Sequence, residues 1–100
     1  MQGQISSTGW FSTPNAQKYM TQLCKHFGHK IPAEVAGDAG QVTFDRGIAR
    51  LQAGEDGLSV TLSGENGDAV ASLQKVIDSH LQRFAFREEF AGMDWSPASA

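Results

Sequence analysis

The sequence predicts an α+β fold: a two-layer sandwich with two helices on one face of a mostly antiparallel sheet of four to five strands, in the order β-α-β-β-β-α, with or without a last strand. Three observations predict it. Apolar residues recur at helical spacing in two stretches, around residues 16–27 and 69–84. Between them, three short stretches alternate apolar and polar residues with period two. The joints between those stretches are short and carry Gly and Asp, the residues of tight turns.

The elements follow in order. Residues 5–12, Ile-Ser-Ser-Thr-Gly-Trp-Phe-Ser, lack charge and helical periodicity and read as a strand, with Gly9 as a weak or bulged point. Thr13-Pro14 reads as a helix start, Thr as N-cap and Pro at the first helical position. From Pro14 to about Phe27, Ala16, Tyr19, Met20, Leu23 and Phe27 share one face, and Gly28 suits a left-handed closing residue. Ala33 to Gly40 is small and Gly-rich and reads as a loop. Val42 and Phe44, then Ala49 and Leu51, then Leu58, Val60 and Leu62 alternate with polar neighbours, giving a three-stranded meander. Its connections, Asp45-Arg46-Gly47 and Gly54-Glu55-Asp56-Gly57, carry the residues that tolerate positive φ. After a loop at Ser63–Asp68, the residues Ala69, Val70, Leu73, Val76, Ile77, His80, Leu81 and Phe84 form the strongest amphipathic pattern in the chain. Phe86 to Phe90 alternates apolar and charged, Met93-Asp94-Trp95 suits a short edge strand, and the chain from Pro97 onward is expected to be disordered.

Composition narrows the function classes. With 100 residues, one compact core is expected, ordered over about residues 5–95, which excludes a two-domain enzyme with an interdomain cleft. A net charge of −3 gives no general attraction for phosphate backbones or anionic lipid, so neither nucleic acid nor membrane is expected as a partner. Cys24 is the single cysteine and the first residues lack the pattern of a secretory signal, so the expected compartment is the cytoplasm.

Three clusters carry candidate chemistry. Cys24, His26 and His29 lie within six residues, yet on a helix Cys24 and His26 point to opposite flanks, and Gly28 separates His26 from His29. A basic turn of Lys25, His26, His29 and Lys30 at a helix C-terminus explains the same residues without a metal. His80 falls inside the second apolar stripe, where its ring is either satisfied by a backbone carbonyl or buried water, or is a functional group at the helix seam near Tyr19, Cys24 and His26. Arg83 and Arg87 could grip a carboxylate or phosphate as planar forks, while Glu88 and Glu89 read as part of a solvated helix end. No nucleophile triad or phosphate-cradling glycine loop is present.

Two of these blocks carry a family likeness. Residues 18–30, Lys-Tyr-Met-Thr-Gln-Leu-Cys-Lys-His-Phe-Gly-His-Lys, followed by Pro32, and residues 80–89, His-Leu-Gln-Arg-Phe-Ala-Phe-Arg-Glu-Glu, resemble the two signature segments of a bacterial family catalogued as domain of unknown function 2218. The likeness runs from about Ser6 to Trp95, and the Gly-Met-Asp-Trp ending is looser than the family's strand-like end. The resemblance implies a small cytoplasmic single-domain bacterial protein with no assigned activity, and no cofactor is expected. It also implies iron, through siderophore-interacting flavin reductases as neighbours or partners. On that footing Tyr19, Cys24, His26, His29, His80, Arg83 and Arg87 would meet an iron chelate or a partner protein. The expected function is a non-catalytic accessory module, monomeric or weakly dimeric; the alternative is a small metal-dependent factor or enzyme using Cys24, His26, His29 and His80.

Overall fold

A computed structural model describes residues 4–99. Strand β1 (Ile5–Ser12) leads to helix α1 (Ala16–Phe27), followed by strands β2 (Ala33–Ala36), β3 (Ala39–Phe44), β4 (Gly47–Ala53) and β5 (Gly57–Gly64), helix α2 (Gly67–Phe84), a short 3-10 helix (Phe86–Glu88) and strand β6 (Asp94–Trp95). The expected α+β sandwich is present: both helices pack on an antiparallel sheet ordered β2-β3-β4-β5-β1-β6. The sheet has six strands rather than four or five. The addition within the expected loop is β2, a four-residue edge strand on β3 that turns back at Gly37, whose φ is +63°. Of Ala, Glu, Val and Ala in this edge strand only Ala33 is half-buried and the rest are exposed, so the strand shows no alternation to read.

The core lies between the layers. Val42, Ala49, Leu51, Leu58, Val60 and Leu62 project from the sheet against Met20, Leu23, Val70, Leu73, Ile77 and Leu81 of the helices. Burying a branched side chain of this kind stabilises the fold by about 1.5–3 kcal/mol each, against a comparable ordering entropy. In α1 Cys24 joins the buried face, and Phe27 is half-buried at its end.

Several local expectations are corrected. Helix α1 starts at Ala16 with Asn15 in the capping position. Thr13 does not cap the helix directly, because its hydroxyl oxygen accepts from the Asn15 amide while its proton goes to Glu88. Gly28 is right-handed, at φ −62°, because the chain keeps turning through bonds from Lys30 N and Ile31 N to the Phe27 carbonyl. The meander's turns use no positive φ among the described residues. Gly47 is needed for close approach instead: a Cβ there would fall 2.0 Å from the Ser63 carbonyl oxygen. Gly9 introduces no bulge, since β1 pairs residue for residue with β5, and it seats the Trp95 ring, which a Cβ would meet at 2.7 Å.

The C-terminal segment closes the other edge. Trp95 pairs with Gly9. Trp95 Nε1 and the Met93 amide both donate to the Asp78 carboxylate, at 3.0 and 2.9 Å. Against expectation, the chain after Pro97 is paired: Ser99 and Ser6 exchange two backbone hydrogen bonds, which satisfy donors that an open strand edge would leave unused.

Candidate functional site

Gly28 ends α1 beside the last turns of α2, where Phe27 and Phe84 meet the histidines and Phe44 meets Phe27. His26 and His80 have ring centroids 4.8 Å apart at 54°. Phe27 lies 4.8 Å from His80 and 5.1 Å from Phe44, and Phe84 lies 5.9 Å from His26. The rings border an open pocket of about 400 Å³ lined by His26, Phe27, His29, Lys30, Ile31, Phe44 and His80. Its wall is apolar and its rim is nitrogen-bearing and cationic. His80 Nδ1 donates to the Val76 carbonyl at 2.7 Å, so Nε2 is the ring nitrogen left for a ligand. Partial loss of water around the exposed His26 ring pushes its pKa down, and the neighbouring charges of His80, Arg83, His29 and Lys30 push it further.

A second polar cluster sits where α1 begins. The Tyr19 hydroxyl and Asn15 Nδ2 both donate to Glu88 Oε2, and Thr13 donates to Oε1 at 2.7 Å. Burial, then the Glu88 hydrogen bond and its charge, push the Tyr19 pKa up to about 12. The hydrogen bonds from Tyr19, Asn15 and Thr13 hold the Glu88 carboxyl below its ordinary value, outweighing a smaller effect of burial. Phe11 stacks on Tyr19 and meets Phe90 edge-on, so the network has an apolar surround. The Thr13 and Tyr19 hydroxyls and one Asn15 amide proton are spent within the fold, and the cluster reads as a clasp between the two ends of the helical layer.

Comparison with known proteins places the chain. Residues 8–96 match the model of a family described as "Uncharacterized protein conserved in bacteria (DUF2218)". The chain belongs to this family. A solved structure similar to this DUF2218 domain is the NMR structure of PA4090 from Pseudomonas aeruginosa: 33% identity, 96% of this chain and 99% of that chain covered, and a TM-score of 0.81. No protein of curated function matches.

Within this DUF2218 domain the candidate residues divide among several places. His26, His29 and His80 line the pocket, and Arg83 is near enough to act on His26 electrostatically. Cys24 is not with them: it is buried, burial pushes its thiol pKa up, and its sulfur faces β3, where a Cβ on Gly40 would lie 2.9 Å away. Tyr19 belongs to the Glu88 cluster. Arg87 lies over the exposed Phe86 ring at 5.5 Å. Among the described residues no three His, Cys, Asp or Glu side chains are grouped to hold a metal ion. No helix among those residues is long and apolar enough to cross a membrane.

Sequence reasoning missed Glu88, read as part of a solvated helix end, and did not single out Asp78. Neither had a local signal: the partners of Asp78 lie 15 and 17 residues on, and those of Glu88 lie 69 to 75 residues away.

Proposed function

We propose that the domain is a non-catalytic accessory module that binds a small anionic ligand in the pocket at the end of α1, and that this ligand is an iron chelate handled alongside siderophore-interacting reductases. The carrying observation is a local reversal of charge. On a chain of net charge −3, Lys30, His26, His29 and His80 converge on one rim above Phe27, Phe44 and Ile31, with Arg83 close by. Such a rim offers charge-assisted hydrogen bonds to an anion, and the aromatic wall takes its apolar part. The cluster lacks an activated nucleophile, because Cys24 is buried away from the histidines, and this favours binding over covalent chemistry. The iron assignment rests on the family likeness.

The test is a titration with ferric chelates and with the iron-free chelators, read residue by residue in amide and imidazole NMR spectra. Shifts or broadening should centre on Phe27, His29, Lys30, Phe44 and His80, leaving the outer sheet residues Thr8, Arg50 and Thr61 unmoved. A chelate at millimolar concentration that leaves His26, His29 and His80 all unchanged would overturn the reading.

A further inference from the structure

We propose that His26 and His80 together take two neighbouring coordination positions on a transition-metal ion that arrives inside an anionic chelate. This rests on the binding reading above and specifies its ligand: a chelate whose metal still has two adjacent positions open or held by exchangeable water.

The ring separation carries the inference. A metal–nitrogen bond of about 2.0–2.1 Å puts an imidazole centre about 3 Å from the metal, so two imidazoles on adjacent positions have centres about 4.5 to 5 Å apart. The His26 and His80 centroids are 4.8 Å apart. They come from two different helices, so the spacing is set by helix packing and not by one helical turn.

The state of each ring agrees. A metal-bound imidazole usually gives its other N–H to a carbonyl or carboxylate, which fixes the tautomer and orients the ring. His80 has this arrangement, with Nδ1 donating to the Val76 carbonyl and Nε2 without a hydrogen-bond partner among the described residues. His26 is exposed and its ring makes no hydrogen bond among the described residues, so the ring can turn to meet an ion.

Two further observations say why the metal comes already chelated. With no third His, Cys, Asp or Glu in place among the described residues, the protein cannot complete a coordination sphere alone. The charges acting on His26 from Arg83 and Lys30 oppose a bare cation, and the same charges attract a complex of net negative charge. The open pocket of about 400 Å³ holds the chelator against Phe27, Phe44 and Ile31. Imidazole donors without thiolate suit iron, nickel, copper or zinc. The reaction is ligand exchange only: two water molecules leave the metal and two nitrogen lone pairs replace them, with no change of oxidation state.

Three probes test this on the untagged chain: nickel(II) nitrilotriacetate, which is anionic with two adjacent water-held positions; nickel(II) ethylenediaminetetraacetate, which is saturated and more negative; and metal-free nitrilotriacetate. The first should bind one to one, at least tenfold more tightly than the other two, with a blue shift of the nickel visible bands as nitrogen replaces water. His26→Ala and His80→Ala should each weaken it tenfold or more, and His29→Ala far less. The visible shift is read on the unaltered protein, so it stands even if His80→Ala folds poorly. Equal binding of the two nickel complexes without a spectral shift would overturn the coordination while leaving the anion pocket intact. Binding of no probe would overturn the coordination, and silence toward the ferric chelates as well would remove the pocket reading with it.

Discussion

The Tyr19 hydroxyl, one turn into α1, donates its hydrogen bond to Glu88, just beyond the end of α2 and 69 residues later in the chain. This bond, with those from Thr13 and Asn15, ties the start of one helix to the end of the other. Glu88→Ala should therefore destabilise the domain by about 1–3 kcal/mol, the cost of leaving such donors unpaired. In Glu88→Gln the Tyr19 phenol should titrate part of the way back from about 12 towards the ordinary 10, since burial stays and the charge goes. Ultraviolet titration of the single tyrosine reads this directly, and a phenol unmoved by the substitution would count against the clasp.

Stability should pass through a plateau in pH. Glu88 has a lowered pKa in the fold, so its contribution is present above the ordinary 4.5 and is lost as pH falls through its folded value. His26 is also lowered, so a shallower loss begins as pH falls below its ordinary 6.5. Tyr19 is raised, so its contribution is complete below 10 and disappears as pH rises through about 12. Melting temperature against pH should fall on both sides of roughly pH 7 to 10. Glu88→Gln should flatten the steep acid arm, and an unchanged profile in that variant would show that other groups set it.

The seat of Trp95 should be sensitive from both sides. Asp78→Ala removes the acceptor for Trp95 Nε1 and the Met93 amide, and Gly9→Val fills the space under the ring. Each should cost about 1–3 kcal/mol and free the C-terminal segment. Hydrogen exchange at the Ser96 and Ser99 amides, which donate to Thr8 and Ser6, should speed up well before the central strand β5 responds. Uniform acceleration across the sheet would contradict a local release.

Asn66 caps α2 by accepting from the Ala69 amide at 2.9 Å. Asn66→Ala should lower stability by about 0.5–2 kcal/mol with pocket binding unchanged. Denaturant unfolding and the nickel titration, run on the same variant, measure the two separately.

The parts of this fold legible in the sequence were those with a long, one-sided burial pattern. Helix α2 keeps Leu73, Ile77 and Leu81 on one face, and β5 keeps Leu58, Val60 and Leu62 on one face. Period and burial coincide there, so the residue types spell out the element. Strand β2 has one neighbour and an exposed surface, so its pairing rests on backbone bonds to β3 that residue types do not announce. The site was half legible for a related reason. His26 and His80 stand out as polar groups beside apolar stripes, and their meeting needs only side-by-side helices. The helical projection already set Cys24 on the flank away from His26, and its side chain accordingly points into the sheet. Glu88 took the tertiary fold, because its neighbours Arg87 and Glu89 are exposed and mark the segment as surface.

Cys24, at 3% exposure beneath β3, has one more consequence. It is the single thiol in the chain, and burial keeps it protonated. An alkylating reagent reaches it only when α1 lifts from the sheet. The domain thus carries a built-in clock: the labelling rate at saturating reagent is the rate at which its helical layer opens, measurable on unaltered protein without denaturant.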